Sequence, residues 1–145
     1  MKTWMTMLLA ASMLAGAAVS ASAADVQVLV TKLGTDGAEM VFEPALARVA
    51  VGDTVTFIPQ DKTLNIETIQ GLLPEGAARV KGEAGEKITV NFATPGVYGF
   101  KSKAHYADGM VGLILVGDAA IPDLDFTRAP SAAHLRLDAM AASQQ

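Results

Sequence analysis

The sequence predicts an all-β fold, a sandwich or barrel of seven or eight short strands. Short segments rich in β-branched and aromatic residues recur along the chain, and several alternate apolar with polar residues as half-buried strands do. Clusters of glycine, proline and aspartate, which favour turns, separate these segments. Because no long helical periodicity and no internal repeat interrupts the pattern, a single two-layered β domain is the favoured architecture.

Turn-forming residues mark the ends of the predicted strands. Six of the predicted strands are the clearest, in segments 26–33, 40–42, 54–59, 87–92, 97–100 and 110–116. The intervening stretch 71–85 contains two clusters of glycine and proline. It is therefore the weakest region for regular structure.

The C-terminal segment departs from the β pattern. Pro122 and Pro130 bracket short segments, and Ser131 is a residue type that caps helices. We therefore predict a helix over 132–142 that packs back on the sandwich, with Leu135 and Met140 on its apolar face.

The first 23 residues have the pattern of a secretory signal peptide. A short positive start precedes an almost unbroken run of apolar and small residues, and residues 21–23 (ASA) form a small-x-small cleavage pattern. We place the cut after Ala23, which leaves 24–145 as one mature domain. A retained membrane anchor is the alternative, but the run is short against a span of about 20 apolar residues. We expect export to a bacterial periplasm and no stable membrane insertion.

Composition excludes several classes of function. The chain of 145 residues has a formal net charge of −4 at pH 7, which is not the basic balance of a nucleic-acid-binding protein. It contains no cysteine, and this excludes disulfides, thiolate metal ligands and thiol nucleophiles. Packing alone must therefore hold the domain together, and we expect a monomer.

A polar loop between the last two predicted strands carries candidate metal ligands. His105 and Met110 lie five positions apart in this loop, a spacing that lets an imidazole and a thioether approach one point. Each also has a simpler interpretation. His105 can be a partly exposed loop histidine, and Met110, which opens an apolar strand, can be a core residue.

Short segments over most of the predicted mature chain carry a family resemblance. They are 41–44 (VFEP), 52–59 (GDTVTFIP), Asn65 with 67–69 (ETI), 95–99 (PGVYG), 105–106 (HY), 109–112 (GMVG) and 136–139 (RLDA). In their order and content they resemble the pseudoazurins, small periplasmic blue-copper proteins. The resemblance implies a cupredoxin-like Greek-key β-sandwich of eight strands, with one or two short C-terminal helices and a copper site at one end.

The resemblance also implies a ligand set of two histidines, one cysteine and a weak axial methionine. His105 and Met110 match the second histidine and the methionine. Leu64 stands at the first histidine position and Ser102 at the cysteine position. A serine hydroxyl stays protonated near neutral pH and leucine has no donor atom. We therefore predict that the scaffold is kept and the blue-copper site is lost, with no cofactor expected unless the family function survives and copper binds.

Residues around this end of the fold have further interpretations. Leu64, Met110 and the His105 ring together predict a small hydrophobic patch that could serve for docking. The resemblance assigns Asn65 the structural task of tying two ligand loops together. Lys62, Lys101 and Lys103 are either a positive ring that suits an acidic redox partner or ordinary solvated lysines.

An enzymatic interpretation rests on Ser102, His105 and Asp108, whose order resembles nucleophile, base and orienting acid. Catalytic triads are defined by geometry rather than by nearness in sequence, and no nucleophile-elbow motif accompanies these residues. We do not expect an enzyme.

Three functions remain open, and we favour a metal-free binding or interaction module. The second is electron transfer by a copper site that Asp108 or a partner would complete. The third is weak copper storage or delivery through His105 and Met110. Either copper function would have a periplasmic redox or copper-handling protein as its partner.

Overall fold

The computed structural model describes residues 22–121 and 124–144. The predicted signal peptide, residues 1–23, lies outside this part except for its last two residues. Among the helices described, none is long and apolar enough to cross a membrane.

Within the described residues the chain forms eight strands, one 3-10 helix and one α-helix. The strands are β1 (Asp25–Leu33), β2 (Glu39–Glu43), β3 (Leu46–Val49), β4 (Thr54–Pro59), β5 (Glu67–Thr68), β6 (Ile88–Asn91), β7 (Gly96–Lys101) and β8 (Val111–Val116). The 3-10 turn spans Lys103–His105 and the helix α1 spans Ser131–Ala142. Stretch 71–85 holds turns and a single β-bridge at Lys81, which agrees with its predicted lack of regular structure.

The strands form two four-stranded sheets, in the orders β2-β1-β4-β6 and β3-β8-β7-β5. β1 pairs with β4 in parallel, as β3 does with β8, and the remaining pairs are antiparallel. Alternation along β1 turns Val28 and Val30 inward, whereas β8 is buried over its whole length. The predicted all-β sandwich is confirmed.

The space between the sheets is filled by aliphatic and aromatic side chains, whose removal from water stabilises the sandwich. Phe57 and Phe100, from opposite sheets, have ring centroids 4.6 Å apart. Phe42 meets Phe57 edge to face at 6.2 Å, an arrangement that the ring quadrupoles favour. These rings form the part of the core that reaches the end of the sandwich where the candidate site lies.

The predicted C-terminal helix is confirmed, but two details of the prediction are wrong. Ser131 is the first helical residue rather than the cap, since Pro130 precedes the helix and no side chain caps it. Leu135 is 70% exposed, whereas Ala133 and Leu137, four positions apart, are buried against Val111 and Leu113. Residues spaced by four share one helix face, and that face is the one that packs on the sandwich.

Arg136 fastens this helix to the loop that precedes β8. Its guanidinium donates hydrogen bonds to the backbone carbonyl oxygens of Glu39 (2.7 Å), Met40 and Gly109 (2.9 Å). Gly109 adopts a φ of +88°, and a Cβ there would come within 3.1 Å of the Ala132 carbonyl oxygen. Glycine therefore lets helix and loop approach closely.

Candidate metal centre

Backbone hydrogen bonds close the loop between β7 and β8 on itself. Met110 donates its N–H to the carbonyl oxygen of His105 at 3.1 Å, and Ser102 donates its N–H to that of Met110 at 3.2 Å. His105 in turn donates its N–H to the carbonyl oxygen of Ser102 at 3.2 Å. Three of the four resemblance-based site positions therefore lie in one compact turn.

Leu64 and Met110 both have side chains that are fully buried, with 0% exposure. They belong to the same apolar core cluster as Phe42, Phe57 and Phe100. The core interpretation of Met110 agrees with this position. The predicted docking patch of Leu64, Met110 and His105 is wrong in this form, because two of its three members are covered by the core and present no surface.

Ser102 is also fully buried, and its hydroxyl is engaged within the protein. The Oγ accepts the backbone N–H of Asn65 at 3.3 Å and donates to the Asn65 Oδ1 at 3.4 Å. The same Oδ1 accepts the backbone N–H of Lys103 at 2.7 Å. These contacts join the 64–65 loop to the 102–103 loop, so the predicted structural role of Asn65 is confirmed.

The opposite side of Asn65 continues the network. Its Nδ2 donates to the Gly82 carbonyl oxygen at 3.2 Å and to the Glu67 carboxylate at 3.1 Å. Both polar atoms of this partly buried amide are thereby hydrogen-bonded.

His105 is held by an acidic neighbour. Its Nδ1 lies 2.9 Å from the Asp108 Oδ2, and 22% of the imidazole side chain is exposed. The pair orients the ring and leaves Nε2 as the nitrogen that Asp108 does not engage. The histidine and acid of the enzymatic interpretation therefore meet, but the Ser102 hydroxyl bonds to Asn65 instead of to His105.

The donors at these positions do not fit a blue-copper centre. Such a centre needs a cysteine thiolate and two imidazoles in one trigonal set. The side chains here are a neutral hydroxyl, an aliphatic group, one imidazole and one thioether. In the parts of the chain that the structure covers, no three histidine, cysteine, aspartate or glutamate side chains are grouped so that they could hold a metal ion.

Two of the three predicted lysines share one surface groove. Lys101 and Lys103 line the same surface groove, whereas Lys62 lies outside it. Lys101 also pairs with Glu67, with Nζ 3.5 Å from the carboxylate, and lies 4.6 Å from the centroid of the Tyr106 ring. Burial raises the pKa of Tyr106, so the phenol beneath this ammonium stays neutral at physiological pH.

Sequence reasoning missed two members of that groove, Arg79 and Lys81. They lie in the 71–85 stretch, where strand patterning gave no reason to place them near Lys101. The only signal was local: two basic residues in alternate positions flank the apolar Val80.

Comparisons with known proteins agree with this architecture. A model of the family described as "Copper binding proteins, plastocyanin/azurin family" matches residues 29–117. A putative pseudoazurin from Rhizobium leguminosarum bv. viciae is 44% identical over 135 residues, covering 92% of this chain and 88% of its own. A pseudoazurin from Paracoccus pantotrophus is 41% identical, with 90% of each chain covered.

The structural comparison leads to the same group. The crystal structure of pseudoazurin from Methylobacterium extorquens AM1 superposes with a TM-score of 0.75 and 41% sequence identity. The match covers 83% of this chain and 99% of that one. The expected cupredoxin-like sandwich is thereby confirmed.

Proposed function

The chain belongs to the copper-binding plastocyanin/azurin family, the cupredoxins, and we propose that it is an exported binding protein that uses this scaffold without a blue-copper centre. Two buried substitutions support the proposal. Leu64 and Ser102 stand at positions that the pseudoazurin resemblance assigns to histidine and cysteine, and both have 0% exposure.

The core packing of Leu64 is the observation that carries this proposal. A fully buried leucine in contact with the aromatic cluster excludes both water and a donor atom from the space an imidazole would occupy. The position is therefore occupied by a core residue and is not left as a vacant ligand pocket.

Ser102 supports the same conclusion from the other loop. Its hydroxyl is committed to Asn65 on both its donor and its acceptor side. A hydroxyl so engaged also lacks the soft, charged sulfur on which copper–thiolate electron transfer depends.

The proposal also covers the location of the protein, its oligomeric state and its lack of catalysis. The N-terminal pattern supports export to a periplasm, and the absence of cysteine is compatible with a domain that relies on packing alone. We propose a monomer that binds a partner or ligand and performs no catalysis, since Ser102 and His105 do not form a nucleophile–base pair in this geometry.

Copper titration tests the loss of the blue site. The mature protein, residues 24–145, is titrated with Cu(II) and Cu(I) while visible absorbance and redox activity are followed. We expect no intense thiolate-to-copper absorption band and no redox couple. An intense band or a reversible couple in the unmodified protein would refute the proposal and restore the electron-carrier function.

A positive control makes a negative result informative. The double variant L64H/S102C restores the donor types of the family site on the same backbone. We expect it to fold and to give the intense band with Cu(II). A folded double variant that stays colourless would show that the loop geometry, and not only the donor set, has departed from the family.

Weak copper handling through His105 and Met110 is a second candidate, favoured by one observation. Asp108 engages the Nδ1 of His105, which is how carboxylates orient metal-binding imidazoles. Colourless calorimetric binding that disappears in His105→Ala would support it. His134→Ala is the matched control, because the Nε2 of His134 is likewise 2.9 Å from an aspartate, Asp138.

A further inference from the structure

A groove of about 400 Å³ on the outer face of the second sheet concentrates positive charge. Its lining includes four basic residues, Arg79, Lys81, Lys101 and Lys103, out of eleven in the whole sequence. The chain as a whole has a formal net charge of −4, so this density is local and opposite in sign. A cleft lined by one sign of charge focuses the electrostatic field and attracts counter-charged ligands.

Strand register explains why these side chains share one face. Glu67 on β5 lies opposite Lys101 on β7 and forms a β-bridge with Lys81 on its other side. Lys81 and Lys101 therefore flank Glu67 across adjacent chain segments. Thr68 and Ser102 are buried, whereas Lys103, which follows Ser102 at the start of the 3-10 turn, is exposed.

Glu67 is the one acidic residue in the groove lining, and its carboxylate is already in use. One oxygen lies 3.5 Å from the Lys101 Nζ, and the other accepts the Asn65 amide at 3.1 Å. Within the described residues, Arg79, Lys81 and Lys103 have no carboxylate within 4.0 Å. Three cations on neighbouring segments repel one another, and an anionic ligand would offset this repulsion.

A second hollow of about 470 Å³ adjoins the groove and shares Glu67, Lys81 and Lys103 with it. Its further lining includes the acidic Glu83 and the small apolar Ala84 and Ala104. Negative groups are therefore favoured in the first hollow, and the second suits the uncharged remainder of a ligand. Together the two hollows have the size of a small-molecule site.

We propose that this groove binds a small molecule carrying two or more carboxylate or phosphate groups, which are held by Arg79, Lys81 and Lys103. Arginine accepts such groups bidentately and the lysines act as point charges on either side. Lys101 is neutralised by Glu67 and supports the wall of the groove. This inference deepens the proposed binding function by naming its ligand class, and none of the residues involved stands at a metal-ligand position.

Calorimetric titration of the mature protein at constant ionic strength tests the proposal. The probes are citrate and pyrophosphate, with acetate as a singly charged control and poly-glutamate as an acidic macromolecule. We expect saturable binding of citrate, pyrophosphate or both, and none of acetate. The comparison of citrate with pyrophosphate distinguishes a carboxylate ligand from a phosphate ligand.

Matched lysine variants distinguish binding in the groove from a general effect of the protein's net charge on anion binding. Lys81→Ala and Lys103→Ala should each weaken binding about tenfold, the loss of one charge-assisted contact. Lys87→Ala removes the same charge from an exposed position outside the groove and should leave affinity unchanged. All three side chains are exposed, so equal melting temperatures should confirm that the variants fold.

Three outcomes would overturn the proposal. No saturable binding of either polyanion would do so, as would an equal loss in Lys87→Ala. Binding of poly-glutamate without citrate or pyrophosphate would assign the groove to an acidic macromolecule instead. Because these measurements contain no copper, they can fail while the proposed loss of the blue site stands, and the copper titration can fail while the groove stands.

Discussion

Replacing Leu64 by alanine tests whether this side chain fills the space of a former metal ligand. Leu64 has 0% exposure and packs with buried aromatic and aliphatic residues, including Met110. Truncating a fully buried leucine removes its transfer free energy and leaves a cavity, which together cost about 2–5 kcal/mol. For a domain of this size that corresponds to a fall in melting temperature of roughly 8–20 °C, at about 4 °C per kcal/mol.

The assay is urea denaturation, monitored by far-UV circular dichroism, and thermal melting is a second measure. Leu135→Ala is the matched control, because Leu135 is 70% exposed and the same truncation should change the free energy of unfolding by less than about 0.5 kcal/mol. A Leu64→Ala cost below about 1 kcal/mol would refute the reasoning, since it would mean that the position is not tightly packed.

Two other predictions concern polar contacts. Asn65→Ala removes the four hydrogen bonds of the Asn65 side-chain amide and should destabilise the domain by about 2–3 kcal/mol. Ser102→Ala loses only two long bonds, both to Asn65, and should cost about 1 kcal/mol. Urea denaturation measures both, and equal costs would contradict the assignment of Asn65 as the centre of the network. Hydrogen bonds from the Thr63 hydroxyl and N–H, and then Lys32, hold the pKa of Asp61 below its usual value. The ionised form thus favours folding above the unfolded pKa of about 3.9, and this contribution is lost as pH falls. The melting temperature of Asp61→Asn should therefore fall less between about pH 5 and about pH 2 than that of the parent, and identical pH profiles would contradict this.

Local pattern was sufficient for most of the fold. The predicted strand at 54–59 coincides with β4, and the predicted helix begins one residue late, because Ser131 is already helical. Its buried face was harder to predict. Leu135 is more hydrophobic than Ala133, yet the close approach of α1 to Gly109 and β8 admits the smaller residue and turns the leucine to solvent.

The candidate site also has features that the sequence predicts and features that only the structure reveals. Ligand identity is a property of the residues, so the lack of a cysteine and the presence of Leu64 and Ser102 could be recognised without a structure. Whether Leu64 and Met110 form an exposed patch or a closed core depends on how far the aromatic cluster reaches, and only the packed sandwich decides this.

The sequence by itself determined the all-β class, the family and the missing copper ligands, because alternation, turn residues and donor chemistry are all encoded locally. The tertiary structure decided that Leu64 is covered, that the Ser102 hydroxyl is bound to Asn65, and that Arg79 and Lys81 lie beside Lys101 and Lys103. Residues 79–81 and 101–103 are about twenty positions apart, and both meet the short strand β5. The charges of these two segments interact through space because each segment lies beside β5. Their proximity therefore depends on strand pairing, and the spacing of the basic residues along the chain does not predict it.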